Sequence, residues 1–213
     1  MACDPIRVLL VDDHVVVRNG VRLMLSGEDD IVIAGEAANS EQALQLLQSH
    51  SFDVALLDVA MPGRNGLELQ RLMRGARKAP AILFLSTYAE DIYALRALKQ
   101  GAAGYLTKDS PGPVLAAAVR KAAAGGKYLT PALAEHIAAA MGGAGGASHA
   151  ALSDRELEVM KLIAGGVSLV QIAARLHLSP HTVTTYRSRI LTKLGMSSNA
   201  ELTRYAMEHG LLL

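Results

Sequence analysis

The sequence contains a single cysteine, Cys3, no tryptophan and only two phenylalanines among 213 residues. One cysteine excludes an intramolecular disulfide and a cysteine zinc cluster, and this usage favours the reducing cytoplasm. A formal net charge of +1 excludes an electrostatically extreme protein. With 51% hydrophobic and 19% charged residues, the composition also excludes wholesale disorder, so a globular chain is expected.

Long apolar runs are lacking as well. The first run, residues 6–11, leads directly into Asp12, Asp13 and His14, which is unlike a secretory signal. No later run approaches the roughly 20 apolar residues that a membrane span needs. We therefore expect no membrane association, and at this length we expect two domains.

Short apolar runs alternate with amphipathic helical stretches over about the first 125 residues. The runs cover residues 6–11, 31–34, 54–57, 81–85 and 103–106. This five-unit βα repeat predicts a doubly wound α/β domain, with a parallel sheet, helices on both faces and right-handed crossovers.

Polar side chains follow four of these runs. Asp12 and Asp13 end the first, Asp58 the third and Ser86 the fourth, and Lys108 follows the fifth. The carboxyl ends of parallel strands meet at one edge of the sheet, where such folds keep their chemistry. Carboxylates gathered there repel one another unless a cation is bound, and an all-oxygen ligand set suits Mg²⁺. With a lysine and a hydroxyl added, this edge predicts a phosphoryl pocket.

Asp58 is the residue on which this interpretation depends. It ends the apolar run 54–57, which reads as a strand buried on both faces. The alternative is a carboxylate that only caps the next helix or is solvated at the strand end.

The same segment resembles the receiver domain of bacterial two-component response regulators. The motifs that carry the resemblance are Asp12-Asp13, Asp58 with Met61-Pro62-Gly63, Ser86, and Gly104-Tyr105-Leu106-Thr107-Lys108. The resemblance implies a sheet in strand order 2-1-3-4-5 and a sensor histidine kinase that phosphorylates Asp58. It further implies that Asp13, Asp58 and the backbone carbonyl of Ala60 hold Mg²⁺, with Asp12 supporting through the waters of the metal.

Further roles follow from the same resemblance. Ser86 and Lys108 would bind phosphoryl oxygens, and Tyr105 matches the aromatic side chain that receivers reorient; its alternative is a half-buried strand tyrosine. Ala60 and Tyr88 would flank the path of the hydrolytic water. Neither side chain positions water well, so we expect slow self-dephosphorylation.

The receiver domain is expected to cover residues 1–126. Residues 127–150 are expected to form a linker, beginning with a helix that Thr130 caps. A flexible glycine-rich tether follows and ends at His149, which has no evident partner and is expected to be solvated.

Residues 151–213 are predicted to form a separate all-α domain of four helices. Its helix start signals are Ser153 with Glu156, Ser168 with Gln171, Ser179 with Pro180, and Ser198 with Glu201. Only His177, Leu178 and Ser179 separate the second and third helices. So tight a turn is typical of a helix-turn-helix, whose second helix enters the DNA major groove.

The third helix divides into two faces. Its apolar side contains Val183, Ile190, Leu191 and Leu194. The side chains that would reach base edges are His181, Thr184, Thr185, Ser188 and Thr192. Those that would neutralise phosphates are Arg187, Arg189 and Lys193. The alternative is an ordinary solvated helix face, since this segment has only seven basic residues against five acidic ones.

This region resembles the LuxR-type DNA-binding domain. The matching segments are residues 152–160, 172–176, 178–183 and 190–195. The resemblance implies a double-stranded DNA operator with two half-sites, bound by a homodimer that forms on phosphorylation. In this family the last helix often supplies the dimer contact, for which Leu202, Tyr205 and Ala206 are candidates. Packing within the domain is the alternative for these three.

Together the resemblances imply a response regulator of the NarL/FixJ type, which is a phosphorylation-controlled DNA-binding transcription regulator. It would not be an enzyme beyond its own phosphorylation and dephosphorylation, and RNA polymerase is a further partner to consider. One alternative is a phosphohydrolase, although Asp58-Val59-Ala60 lacks the second acid of an Asp-x-Asp pair. The other is a phosphate-independent docking module, which the complete set of acids, Ser86 and Lys108 argues against.

Overall fold

The computed structural model describes residues 4–61, 63–75, 78–87, 90–141 and 149–212. The chain divides into two compact units, Met1–Met141 and Gly142–Leu213. The division falls inside the segment 127–150 that the sequence assigns to the linker. Residues 142–148 of the predicted glycine-rich tether lie outside the described residues, as do Pro62 and Tyr88. The domain limits stay a prediction.

The first unit alternates strands and helices as the sequence predicts. The strands are β1 (Ile6–Val11), β2 (Ile31–Ala37), β3 (Val54–Asp58), β4 (Ala81–Ser86) and β5 (Gly104–Thr107). The helices are α1 (Val15–Leu25), α2 (Ser40–Ser49), α3 (Gly66–Met73), α4 (Glu90–Lys99), α5 (Gly112–Ala123) and α6 (Pro131–Met141).

The sheet has the order β2-β1-β3-β4-β5, and every neighbouring pair is parallel. This confirms the predicted doubly wound topology. All five residues of the central strand β3 are buried, Asp58 included, which agrees with a strand covered on both faces. The strand order therefore brings the ends of β1, β3, β4 and β5 to one edge.

Strand β2 is longer than the predicted run 31–34. A register shift between Val8 and Leu9 lets Gly35 pair with Leu9, and pairing then continues to Ala37. A bulge of this kind is invisible to hydrophobic periodicity because Gly35 and Glu36 are not apolar.

The second unit is all-α, as predicted. It contains a short 3-10 turn (His149–Ala151) and the helices α7 (Asp154–Ala164), α8 (Leu169–Arg175), α9 (Pro180–Leu194) and α10 (Asn199–Glu208). Full capping boxes begin α7 and α8. At α10 only half of the predicted box forms, because the carboxylate of Glu201 accepts from the backbone N and hydroxyl of Ser197.

The turn between α8 and α9 is tight. His177 adopts a positive φ of 52°, and the backbone N of Leu178 donates to the carbonyl of Ala173 at 2.9 Å. Gly195 ends α9 with a φ of 65°, a left-handed cap that glycine adopts without strain. The helix-turn-helix geometry is thus built from local signals.

Gly66 permits a close approach between α3 and the end of β3. A Cβ atom at this position would lie 2.1 Å from the carbonyl oxygen of Asp58, and Gly66 N donates to the carbonyl of Val59 at 3.0 Å. We expect Gly66→Ala to displace the strand end and to destabilise the first unit by about 1–3 kcal/mol.

Gly20 in α1 is the matched control for this change. A Cβ there meets no atom within 4 Å, so Gly20→Ala should stabilise the same unit by about 0.5–1 kcal/mol through helix propensity. Calorimetry of the full-chain variants measures both changes in stability. A Gly66→Ala protein as stable as the Gly20→Ala protein would contradict the close-contact argument.

Candidate functional sites

The carboxyl edge of the sheet gathers an acidic pocket. Asp12, Asp13, His14 and Asp58 each place one potential ligand atom within 4.8 Å of the others. The side chains of Asp12 and Asp58 are only 2% and 3% exposed. The predicted convergence of Asp12, Asp13 and Asp58 is therefore what the structure shows, whereas a solvated Asp58 is not.

Lys108 lies between the two buried acids. Its Nζ is 2.7 Å from Oδ2 of Asp12 and 2.8 Å from Oδ2 of Asp58. Burial raises the pKa of Asp58 to about 6, and the hydrogen bond and charge of Lys108 oppose that increase. Burial alone would lower the pKa of Lys108, but its hydrogen bonds to the two carboxylates outweigh burial and raise it.

The pocket fits a divalent cation by charge and by ligand type. Three carboxylates against one ammonium leave an excess of two negative charges. Oδ1 of Asp13 is buried and accepts no hydrogen bond from any described residue, although Nδ1 of His14 lies 2.9 Å away. Carboxylate oxygens of this kind are the ligands that Mg²⁺ prefers.

Two residues near the pocket were not found from the sequence. His14 lies beside Asp12 and Asp13 but is 63% exposed. Nη1 of Arg18 donates to the carbonyl oxygen of Asp12 at 2.6 Å, and its Nε is 3.4 Å from a carboxylate oxygen of Glu36. Arg18 thereby ties the loop after β1 to β2. In the sequence, Arg18 is marked only by its position one turn into α1, and this position does not indicate which residues it contacts.

The predicted switch residues lie on β4 and β5, the strands that follow β3 in the sheet. Ser86 and Tyr105 are both fully buried, and the Tyr105 ring centroid is 6.3 Å from that of Phe84. Tyr105 is therefore fully buried and not half-buried, and its role as a switch residue stays a prediction. The backbone N of Lys108 donates to the carbonyl of Ser86 at 2.9 Å, which links the ends of β4 and β5.

Helix α9 shows the two faces that its sequence predicts. Val183, Ile190 and Leu191 are buried in the second unit. His181, Thr184 and Ser188 are exposed, and Thr185 is partly so. The hydroxyls of Thr184 and Thr185 donate to Pro180 and His181 carbonyls at 2.9 and 3.0 Å, which leaves their lone pairs and methyl groups for a ligand.

Two of the three predicted phosphate contacts already have protein partners. Nζ of Lys193 lies 2.6 Å from Oε2 of buried Glu156, and Nε of Arg187 donates to Oδ1 of Asn199 at 2.6 Å. Burial alone would raise the pKa of Glu156, but hydrogen bonds from Lys193 and Ser153 lower it. Arg189 is exposed and has no side-chain partner within the described part of the chain.

The candidate dimer residues of α10 lie inside the second unit. Leu202 and Ala206 are fully buried and Tyr205 is 9% exposed, where α10 packs against α7. Their burial favours the alternative of packing within the domain. The expectation that His149 is solvated is wrong, because its Nδ1 is 2.8 Å from the Tyr205 hydroxyl; that contact spans 56 positions and leaves no pattern in the sequence.

The first unit is a receiver-type α/β domain and the second a helix-turn-helix domain. Two family models match in the same order. The response regulator receiver domain matches residues 8–120, and the bacterial regulatory proteins of the luxR family match residues 150–206.

Similar proteins cover nearly the whole chain. Response regulator UvrY of Escherichia coli K12 is 36% identical over 208 residues, which are 97% of this chain and 95% of that protein. Response regulator GacA of Pseudomonas syringae pv. syringae is 36% identical over 209 residues, 97% and 98% of the two chains. A structure of the RcsB response regulator of Salmonella typhimurium has a TM-score of 0.73 at 22% identity, covering 97% and 98%, and supports the fold alone.

This chain belongs to the response regulators that join a receiver domain to a LuxR-type DNA-binding domain. Proteins of this family are phosphorylation-dependent transcription regulators that interact with sensor kinases and DNA. Their receiver domains generally bind Mg²⁺ at an acidic pocket. No helix in the described ranges is long and apolar enough to cross a membrane.

The raised pKa of Asp58 predicts a pH dependence of stability without Mg²⁺. Between the ordinary pKa of 3.8 and about 6, the folded state holds more protons than the unfolded state, so stability falls as pH rises and is then constant. Between these pH values the free energy of unfolding falls by about 1–3 kcal/mol. The side chain introduced by Asp58→Asn cannot ionise, so this variant should be more stable than wild type at neutral pH.

Urea unfolding in a chelator measures this difference. The exposed Asp109→Asn is the control, since it removes a carboxylate from the loop after β5 outside the pocket. Equal stability of wild type and Asp58→Asn at neutral pH would contradict the prediction.

Lys193→Gln should act on folding as well as on DNA binding. It leaves the buried carboxylate of Glu156 without its cation, which costs about 1–2 kcal/mol. Arg189→Gln should weaken DNA binding with no change in unfolding midpoint, because its side chain is exposed. Thermal unfolding and fluorescence anisotropy on DNA separate the two effects; equal midpoints for both variants would count against a structural role of Lys193.

Proposed function

We propose that Asp58 is the phosphoacceptor and that it receives the phosphoryl group from a phosphohistidine of a sensor histidine kinase. The observation that carries this proposal is the buried ion-pair set in which Lys108 bridges Asp12 and Asp58. An aspartate that only capped a helix would not need a buried lysine. The Asp58 carboxylate oxygen forms the new bond to phosphorus, and the bond from phosphorus to the histidine nitrogen breaks.

We assign the Mg²⁺ ligands to Asp13, Asp58 and the backbone carbonyl of Ala60, with Asp12 acting through metal-bound water. Bound Mg²⁺ supplies positive charge to the transferring phosphoryl oxygens. The amide of Ala60 donates to Oδ1 of Asp58 at 3.2 Å. This hydrogen bond helps to leave Oδ2, the atom that faces Lys108, as the oxygen whose partner changes on phosphorylation.

After transfer, Lys108 pairs with a phosphoryl oxygen and the Ser86 hydroxyl donates to another. Tyr105 adjusts to the displacement of Ser86, which lies at the end of the neighbouring strand. The receiver catalyses only its own phosphorylation and dephosphorylation. The latter is slow because neither Ala60 nor Tyr88 positions a water.

The output is a population shift. Phosphorylation stabilises one receiver conformation, which promotes a homodimer and places α9 of each protomer in the major groove of one of two half-sites. His181, Thr184, Thr185 and Ser188 contact bases. Dimer contacts through Leu202, Tyr205 and Ala206 stay part of this proposal, although their burial supports a packing role. The regulator works on cytoplasmic DNA, where RNA polymerase is a further partner.

Labelling with acetyl phosphate and Mg²⁺, followed on a phosphate-retarding gel, tests the acceptor. Wild type should give a retarded band and Asp58→Asn should give none, because the amide cannot accept the phosphoryl group. Asp109→Asn is again the matched control and should label like wild type.

The contrary outcome is equally specific. If neither acetyl phosphate nor a sensor kinase labels wild type, the receiver acts as a phosphate-independent docking module. If Asp58→Asn labels as well as wild type, another residue is the acceptor.

A further inference from the structure

A cavity of about 250 Å³ lies at the opposite edge of the receiver sheet from Asp58. It is bounded by the end of α3, the starts of β4 and β5, and the turn after α5. Residues that line it include Gln70, Arg74, Ile82, Ala102, Gly126 and Lys127. Its walls are otherwise alanine, proline and glycine, and none of the described residues that line it is acidic. Nothing in the phosphorylation chemistry uses this space.

The cavity contains a buried acceptor without a donor. Gln70 is 1% exposed, and its Nε2 donates to the carbonyl oxygens of Gln100 and Ala97 at 3.1 and 3.4 Å. Two carbonyl acceptors fix the orientation of the amide, because only the NH₂ group can donate to both. Oε1 of Gln70 is buried and receives no hydrogen bond from the described residues. Such a group costs about 1–3 kcal/mol, so a donor from a ligand would be favourable.

Two cations line the same cavity. Neither Arg74 nor Lys127 has a side-chain hydrogen bond or a carboxylate partner within the described ranges. Gly101, with a φ of 86°, makes room for the guanidinium, since a Cβ there would lie 2.0 Å from Nη2 of Arg74. Two unneutralised cations beside an apolar cavity attract an anion.

We propose that this cavity binds a small organic carboxylate that also carries a hydroxyl group. The carboxylate meets Arg74 and Lys127, the hydroxyl donates to Oε1 of Gln70, and the short aliphatic part packs against Ile82 and Ala102. The volume is below the roughly 300–1,000 Å³ of pockets for drug-sized ligands, which restricts the ligand to a small metabolite.

Such a ligand would connect elements that phosphorylation reaches from the other side. Gln70 already joins α3 to the end of α4 through the Ala97 and Gln100 carbonyls. A bound carboxylate adds the turn after α5 to this junction through Lys127. Binding is therefore expected to stabilise the receiver whether or not Asp58 is phosphorylated.

Lactate is a suitable probe, and propionate and lactamide are its matched controls because each lacks one of its interactions. Propionate lacks the hydroxyl and lactamide lacks the charge. Each is titrated at constant ionic strength into the full chain, and two-dimensional amide NMR follows the Gln70 side-chain amide and the Gly101 and Gly126 backbone amides. Lactate should shift these signals, and propionate should bind about two- to tenfold more weakly. Absent shifts, or equal binding of all three probes, would overturn the proposal.

Matched variants test the assigned roles. Arg74→Met and Lys127→Met should each weaken lactate binding severalfold, whereas Lys99→Met removes a positive charge from α4 outside the cavity and should have no effect. Gln70→Met should abolish the preference for lactate over propionate. Because this change also removes the two bonds to α4, the surface variants at Arg74 and Lys127 supply the test that does not depend on folding. Equal lactate binding in all four variants would show that the shifts arise elsewhere.

Discussion

The buried contact of Lys108 with Asp12 and Asp58 constrains the rest of the receiver. An ammonium group between two carboxylates that are almost fully buried is stable only if each charge keeps its partner. One lysine cannot balance the third acid, Asp13, so the pocket retains an excess of negative charge. A divalent cation removes that excess. In the proposed mechanism, phosphorylation of Asp58 replaces a carboxylate partner of Lys108 with a phosphoryl oxygen.

Hydrogen bonds between parallel strands would transmit this proposed exchange to other parts of the domain. Lys108 follows β5 directly, and its backbone N is bonded to the carbonyl of Ser86 at the end of β4. A displacement of Lys108 toward a phosphoryl group therefore acts on both strand ends. Tyr105 lies three residues before Lys108 and packs near Phe84 of β4. The aromatic pair thus lies across β4 and β5, the two strands whose ends the proposed charge exchange would move.

The sequence predicts those features of the pocket that depend on strand order alone. Alternating apolar runs place Asp12, Asp58 and Lys108 at the ends of parallel strands, so their convergence follows from topology without any knowledge of side-chain packing. The contacts of Arg18 and His149 were missed for the opposite reason. Each partner lies on another element, and no periodicity or spacing in the sequence identifies it.

Burial also decides between alternatives that the sequence leaves open. Tyr105 is fully buried rather than half-buried, and Leu202 packs within the second unit. A hydrophobic stripe in a sequence shows that a face is covered but does not say by what. In a small helical domain, the same apolar residues can form an internal core or an interface with a second copy of the chain. The packing of α10 against α7 favours the internal core.

Several charged side chains of the second unit form contacts within that unit. Lys193 forms a salt bridge with Glu156, and Arg187 donates a hydrogen bond to Asn199. Two of the three side chains predicted to contact phosphates therefore already have partners within the domain. Few free cations among the described residues would release few counterions, so weak binding by a single domain is expected. When two such domains are joined in a dimer, the second binds at an effective concentration set by the connection between them. Under the proposed function, weak single-domain affinity makes operator occupancy depend on dimerisation, and hence on the phosphorylation state of Asp58.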